Sequence, residues 1–166
     1  FVQGTIMMLA LVVMPLVVVF RAGGLDVTAE RMFSVDPNFL SMFHGLTVIG
    51  WLSAVAWGLG YFGQPHIIVR FMAVRSVADV PKARNIGMAW MIISLAGAVG
   101  VGIFGRSYVV GNNIDVADPE TIFIILANTL FIPLITGFLL AALLAAIMST
   151  ISSQLLVASS SLTEDF

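Results

Sequence analysis

Two polar insets interrupt an otherwise apolar chain. The clearer one is Ala145-Ala146-Ile147-Met148-Ser149-Thr150-Ile151-Ser152-Ser153. Ala146, Ser149, Thr150 and Ser153 stand at i, i+3, i+4 and i+7, so a helix puts them on one face. Hard cations prefer oxygen ligands. A neutral hydroxyl pair, joined by carbonyls from an unwound neighbour, suits a monovalent ion that must also be released. The small side chain of Ala146 lets such a neighbour approach. The same spacing serves a plainer end. Ser and Thr often bond their own helix or the next one, for about 1 kcal/mol or less. On spacing alone, packing stays ahead of ion binding.

The second inset is Trp57-Gly58-Leu59-Gly60-Tyr61-Phe62-Gly63-Gln64-Pro65-His66. A glycine inside a helix costs about 1 kcal/mol relative to alanine, and a proline about 3 kcal/mol. Backbone groups freed in lipid must find partners in protein or in a wet cavity. A span broken by Gly58, Gly60, Gly63 and Pro65 therefore points to a binding site of the kind found in transporters. Trp57 and Tyr61, four apart, share a face where the turn is helical. Two amphipathic rings beside open carbonyls and amides can cradle a compact, partly apolar solute. Against this, glycines in membrane helices also serve close packing, and Trp and Tyr also mark the membrane interface. His66 reads as a helix-end residue rather than a proton relay. His44 has no partner legible in the sequence. No zinc-binding histidine pair and no nucleophile–base grouping is present, so an enzyme is not expected.

The elements that must hold these insets follow from composition. The chain is 60% hydrophobic and only 10% charged, with a mean hydropathy of +1.07. Soluble domains carry about 25% charged residues. A chain this poor in charge cannot cover a water-facing surface and must face the lipid bilayer. It has no cysteine, hence no disulfide framework, and a net charge of −2, which argues against a nucleic-acid partner. A crossing helix needs about 20 apolar residues, which predicts spans at about 1–20, 43–69, 85–108 and 134–160. The uncharged stretch from Thr121 to Thr163 is too long for one ordinary span. It reads either as a hairpin turning near Pro133 or as a surface helix at about 120–131 followed by one long helix. Asn128, Thr129 and Pro133 favour the second arrangement. No internal repeat is visible, as expected of one half of an inverted-repeat transporter.

Loop charge sets orientation. The Arg70–Arg84 loop carries Arg70, Arg75, Lys82 and Arg84 against Asp79 alone, and is expected to be cytoplasmic. The Arg106–Glu120 loop carries Arg106 against Asp115, Asp118 and Glu120, and is expected outside. Alternation then puts both chain ends inside. The chain starts within an apolar run and stops as charge returns at Glu164 and Asp165. It is expected to be an internal slice whose partners include the rest of the same transporter.

Taken together, the insets resemble one family. The run from Trp57 to Ala73, and Leu144-Ala-Ala-Ile-Met-Ser-Thr-Ile-Ser-Ser-Gln-Leu-Leu-Val157 with Leu162-Thr-Glu-Asp165, are similar to the proline-transporting branch of the sodium:solute symporter family. The first motif is fairly specific to that branch, and the second is shared more widely. The resemblance implies an all-α integral membrane fold, part of a LeuT-like core of two inverted five-helix repeats. The chain would supply the last helix of the first repeat and the first three of the second. It implies L-proline, or a similar small solute, bound at Trp57, Tyr61 and Pro65 beside the backbone of Gly58, Gly60 and Gly63. It implies Na+ as the coupling ion, ligated by the hydroxyls of Ser149 and Thr150 and the carbonyl of Ala146. Ser153 falls where the proline carrier of enteric bacteria has a cysteine, a departure that touches no sodium ligand. The implied setting is a bacterial cytoplasmic membrane, crossed several times. The first broken helix of such a core, with its carbonyl ligands, is not in these residues. Two other readings stay open: a carrier of another amino acid or small carboxylate, and the transporter-like sensor domain of a histidine kinase. A ligand-free structural membrane subunit is a third class.

Overall fold

The computed structural model describes residues 2–41, 43–60, 64 and 72–164, the last by its backbone alone. The regular elements among them are helical. They are α1 (Val2–Ala22), α2 (Leu25–Val35), α3 (Val48–Gly60), α4 (Val80–Gly111), α5 (Ile122–Leu130) and α6 (Pro133–Glu164), with short 3-10 turns at Val77–Asp79 and Pro119–Thr121. Three helices, α1, α4 and α6, are long and apolar enough to cross a membrane. The chain is a multi-pass helical membrane protein. The described residues divide into two compact units, Phe1–Leu40 with Gly87–Ile147, and Ser41–Ile86 with Met148–Phe166.

Helix ends follow local chemistry. α1 stops at a pair of glycines. The Gly24 N–H donates to the Val19 carbonyl (3.0 Å) and the Gly23 N–H to the Phe20 carbonyl (3.4 Å). Gly23, at φ +99°, takes the left-handed turn this Schellman closure demands. α4 closes the same way with asparagine in glycine's role. Ile114 N–H donates to the Val109 carbonyl (2.9 Å) and Asn113 N–H to the Val110 carbonyl (3.2 Å), with Asn113 at φ +51°. The Asn112 side-chain amide also donates to the Tyr108 carbonyl (2.8 Å). Both ends thus satisfy carbonyls that a helix terminus leaves open. α4 starts at Val80, so Lys82 and Arg84 lie in its first turns rather than in a preceding loop.

The first unit is built on close approaches of backbone. A Cβ placed on Gly97 would fall 2.7 Å from the Leu11 carbonyl oxygen, and one on Gly100 3.1 Å from the Pro15 Cβ. Further back, Gly4 faces the Trp90 ring. The pairings 4 with 90, 11 with 97 and 15 with 100 advance together, so α1 and α4 run parallel. Small residues at such crossings let helices gain dispersion contacts that lipid cannot supply. Beyond them, Gly105 admits Leu126 and Ile122 of the α5 helix, a Cβ there meeting Leu126 Cδ1 at 2.8 Å. The core is Met14 and Val18 from α1, Val101 and Val109 from α4, and Leu126, Ala127 and Leu130 from α5.

Polar groups lock this unit at two points. The fully buried Ser107 of α4 donates to the Thr28 carbonyl of α2 (3.0 Å), while the Thr28 hydroxyl donates to the Gly24 carbonyl (2.6 Å). The Arg31 side chain of α2 covers Gly111, the last residue of α4. A cation is favourable there, at the negative end of the helix dipole. The second lock is Thr136, whose hydroxyl donates to the Ala127 carbonyl (2.8 Å) across the break between α5 and α6.

In the second unit, α3 begins at Val48 under a threonine cap. The Thr47 hydroxyl accepts from the Gly50 N–H at 3.1 Å. No residue of α3 is buried. Its 13 residues reach about 20 Å at 1.5 Å each, less than the ~30 Å hydrocarbon core. The span expected over 43–69 is therefore described only in this part.

Candidate functional site

α6 is one unbroken helix from Pro133 to Glu164. It carries Ala146, Ser149, Thr150 and Ser153 at the helical spacing that gives them a common side. Its sequence explains its persistence. Between Pro133, which suits a first helical position, and Glu164 it holds one further glycine, Gly137, and no other proline. Ser149 and Thr150 are exposed, and Ala146 and Ser153 are half-buried. The Ser153 hydroxyl donates back to the Thr150 carbonyl at 2.8 Å. That is the local bonding the plainer reading of the inset anticipates. Ala146 belongs to the first compact unit, Ser149 and Thr150 to the second.

The residues of the other inset stand on α3 and after it. Trp57 is 72% exposed. A methyl group added at Gly58 or Gly60 would meet no described atom within 4 Å. Among the described residues these two glycines serve no helix crossing, unlike Gly97, Gly100 and Gly105. Both stand within the helical α3 rather than in a broken stretch. Tyr61, Gly63, Pro65 and His66 lie outside the described residues, and Gln64 is half-buried without regular structure. The structure thus gathers the hydroxyls on one helix and sets Trp57, Gly58 and Gly60 on another.

Among the described residues, one apolar cavity does not compete with these insets as an ion site. A cavity of about 640 Å³ lies beside α1 and α4, lined by apolar residues such as Val12, Pro15, Leu16, Ile92, Ala96 and Phe104. It has no charged or hydroxyl side chain with which to replace the hydration of an ion. Among the described residues, no three His, Cys, Asp or Glu side chains come together.

The motifs do not single out Ser107 and Thr28, which tie α4 to α2, or Thr136, which ties the start of α6 to α5. The signal for Thr136 was its place three residues after Pro133, at a helix start. Ser107 and Thr28 are 79 residues apart, and no local pattern links them.

The chain matches the sodium:solute symporter family over residues 1–166. It is 58% identical over 165 residues to the high-affinity proline transporter PutP of Bacillus subtilis, covering 99% of this chain and 35% of that protein. It is 55% identical over 166 residues to sodium/proline symporter 2 of Staphylococcus saprophyticus, covering all of this chain and 32% of that protein. A sodium/proline symporter of Staphylococcus aureus is 54% identical over the same length. The chain spans about a third of the length of these curated relatives. No solved structure matches it. The full-length family match and this level of identity make the assignment plain: the chain belongs to the sodium:solute symporter family, a family of transporters rather than enzymes.

Proposed function

We propose that the chain is part of a sodium-coupled L-proline symporter that works by alternating access in a bacterial cytoplasmic membrane. The observation that carries this reading is the 54–58% identity to proline transporters along essentially the whole chain. In this reading α1 is the last helix of one repeat in a LeuT-like core, and α3, α4 and α6 belong to the first three helices of the inverted repeat. The parallel run of α1 and α4 supports it. Two parallel crossing helices need a return crossing between them, and residues 37–69 hold the apolar stretch available for it.

Sodium is a co-substrate here. Ser149 and Thr150 offer it hydroxyl oxygens from an unbroken helix, and Ala146 offers a carbonyl. The ligand set is neutral, so the ion keeps its charge unpaired and is held weakly enough to leave on the inner side. The remaining oxygens would come from the rest of the transporter. Proline binds against Trp57 and Tyr61, with the backbone around Gly58, Gly60, Gly63 and Pro65 meeting its ammonium and carboxylate. Coupling requires that ion and solute favour the same conformational state, so that each raises the affinity for the other by the same factor.

The test is uptake of labelled proline by the full-length transporter, with and without sodium and against competing amino acids. Uptake should need sodium and resist competition by other amino acids. In the same assay Thr150→Val should raise the sodium concentration for half-maximal uptake about tenfold or more, as expected from losing a hydrogen-bond-strength oxygen contact to a charge. Unchanged sodium dependence in that variant would remove Thr150 from the site.

A further inference from the structure

We propose that Thr136 is a positioning residue for the cation site on α6. Its hydroxyl fixes the rotation and axial position of the helix that carries Thr150. The inference rests on the sodium-site reading above and adds a residue to it.

The geometry lies at the break between α5 and α6. The Phe131 N–H closes α5 on the Ala127 carbonyl at 3.3 Å. The Thr136 hydroxyl donates to that same carbonyl at 2.8 Å and leans toward the Phe131 carbonyl at 3.4 Å. The Thr136 N–H donates to the Ile132 carbonyl at 3.0 Å. Thr136 is 6% exposed, and its acceptor residue Ala127 is fully buried at the core of the first unit. The bond therefore ties the first turn of α6 to the part of the unit that packs best.

Apolar contacts also hold α6 there, with Leu139 packed against the core of the first unit. Among the described residues only Thr136 and Ala142 are buried on this helix. Ala142 contributes a methyl contact, which lets a helix slide or turn. A hydrogen bond has angular demands and does not. Between helices in lipid there is no hydrophobic driving force to substitute for it. From Thr136 to Thr150 is 14 positions, about 21 Å and about 3.9 turns of an α-helix, so the two threonines fall within about 40° of one face. Both stand on one unbroken helix, so a turn of that helix re-aims the Thr150 oxygen. Ion coordination tolerates such re-aiming poorly, because each ligand oxygen must reach one point.

The experiment uses the full-length transporter, comparing Thr136→Val, Thr136→Ala and Thr136→Ser, with Thr150→Val as reference. Membrane levels are measured by immunoblot. Losing the hydroxyl in T136V should raise the sodium concentration for half-maximal uptake about threefold or more, the scale of one hydrogen bond. The proline concentration for half-maximal uptake, at saturating sodium, should stay near wild type, and T136S should restore the sodium value. A general packing defect would move the two together. A T136V protein with wild-type sodium dependence overturns the proposal. So does an equal change in both half-saturation values, or the absence of both T136V and T136A from the membrane, since each assigns the hydroxyl to fold stability alone. If T150V itself shows no sodium shift, the cation-site reading fails first. If T150V shifts and T136V does not, only the positioning role fails.

Discussion

The α1–α4 crossing permits a prediction in which helix propensity cancels. Gly97 and Gly102 both lie inside α4. A Cβ on Gly97 would lie 2.7 Å from the Leu11 carbonyl oxygen, 2.9 Å from its carbon and 3.0 Å from its Cβ, whereas one on Gly102 meets no described atom within 4 Å. Ordinary contact begins near 3.4 Å, so Gly97→Ala forces about 0.7 Å of separation. The obstacle is backbone, which cannot rotate away. Overpacking of this kind costs about 1–3 kcal/mol, and the separation also weakens the dispersion contacts flanking it. Both substitutions gain about 1 kcal/mol of helix propensity. The difference between them therefore isolates the clash: G97A should be less stable than G102A by about 1–3 kcal/mol. Unfolding of the full-length protein by sodium dodecyl sulfate in mixed micelles, followed by tryptophan fluorescence, measures this difference. Equal midpoints for the two variants would show that α1 and α4 do not cross at Gly97, and the parallel packing inferred from it would fall.

Other expectations follow from the same contacts. Trp57→Ala should weaken proline affinity more than sodium affinity, measured as separate half-saturation values for uptake, and an equal loss in both would argue against a ring contact with the solute. Ser107→Ala removes the donor to the buried Thr28 carbonyl and should destabilise the protein by about 1 kcal/mol. Hydrogen exchange should then speed up in α2 (Leu25–Val35), while unchanged exchange there would mean that the bond does not anchor this helix.

The two insets differed in legibility for physical reasons. Ser149 and Thr150 were readable because four small or polar residues recur at helical spacing in a chain where nearly every neighbour is apolar. The spacing left open whether they bond inward or face outward. In the structure both are exposed. The glycines were harder. Gly58 and Gly97 look alike in sequence, each a glycine among apolar residues. Among the described residues, only Gly97 of the pair meets another helix within 4 Å. Glycine marks a close approach of backbone, or freedom of backbone, and local sequence cannot tell which.

By itself the sequence determined the solvent. With one residue in ten charged, the chain has too few polar groups to hydrate a surface, and apolar runs of crossing length must then be helical so that each peptide group is bonded within its own segment. These are local and compositional constraints. The insets also stood out from sequence, because polar residues in lipid need a reason. What only the tertiary structure decided is which helices meet and in which direction. The parallel pairing of α1 with α4, the tie between Ser107 and Thr28, and the bond from Thr136 to Ala127 all depend on residues brought together by folding. In lipid those choices rest on glycine-sized gaps and single directional bonds rather than on hydrophobic burial, and neither leaves a periodic trace in the chain.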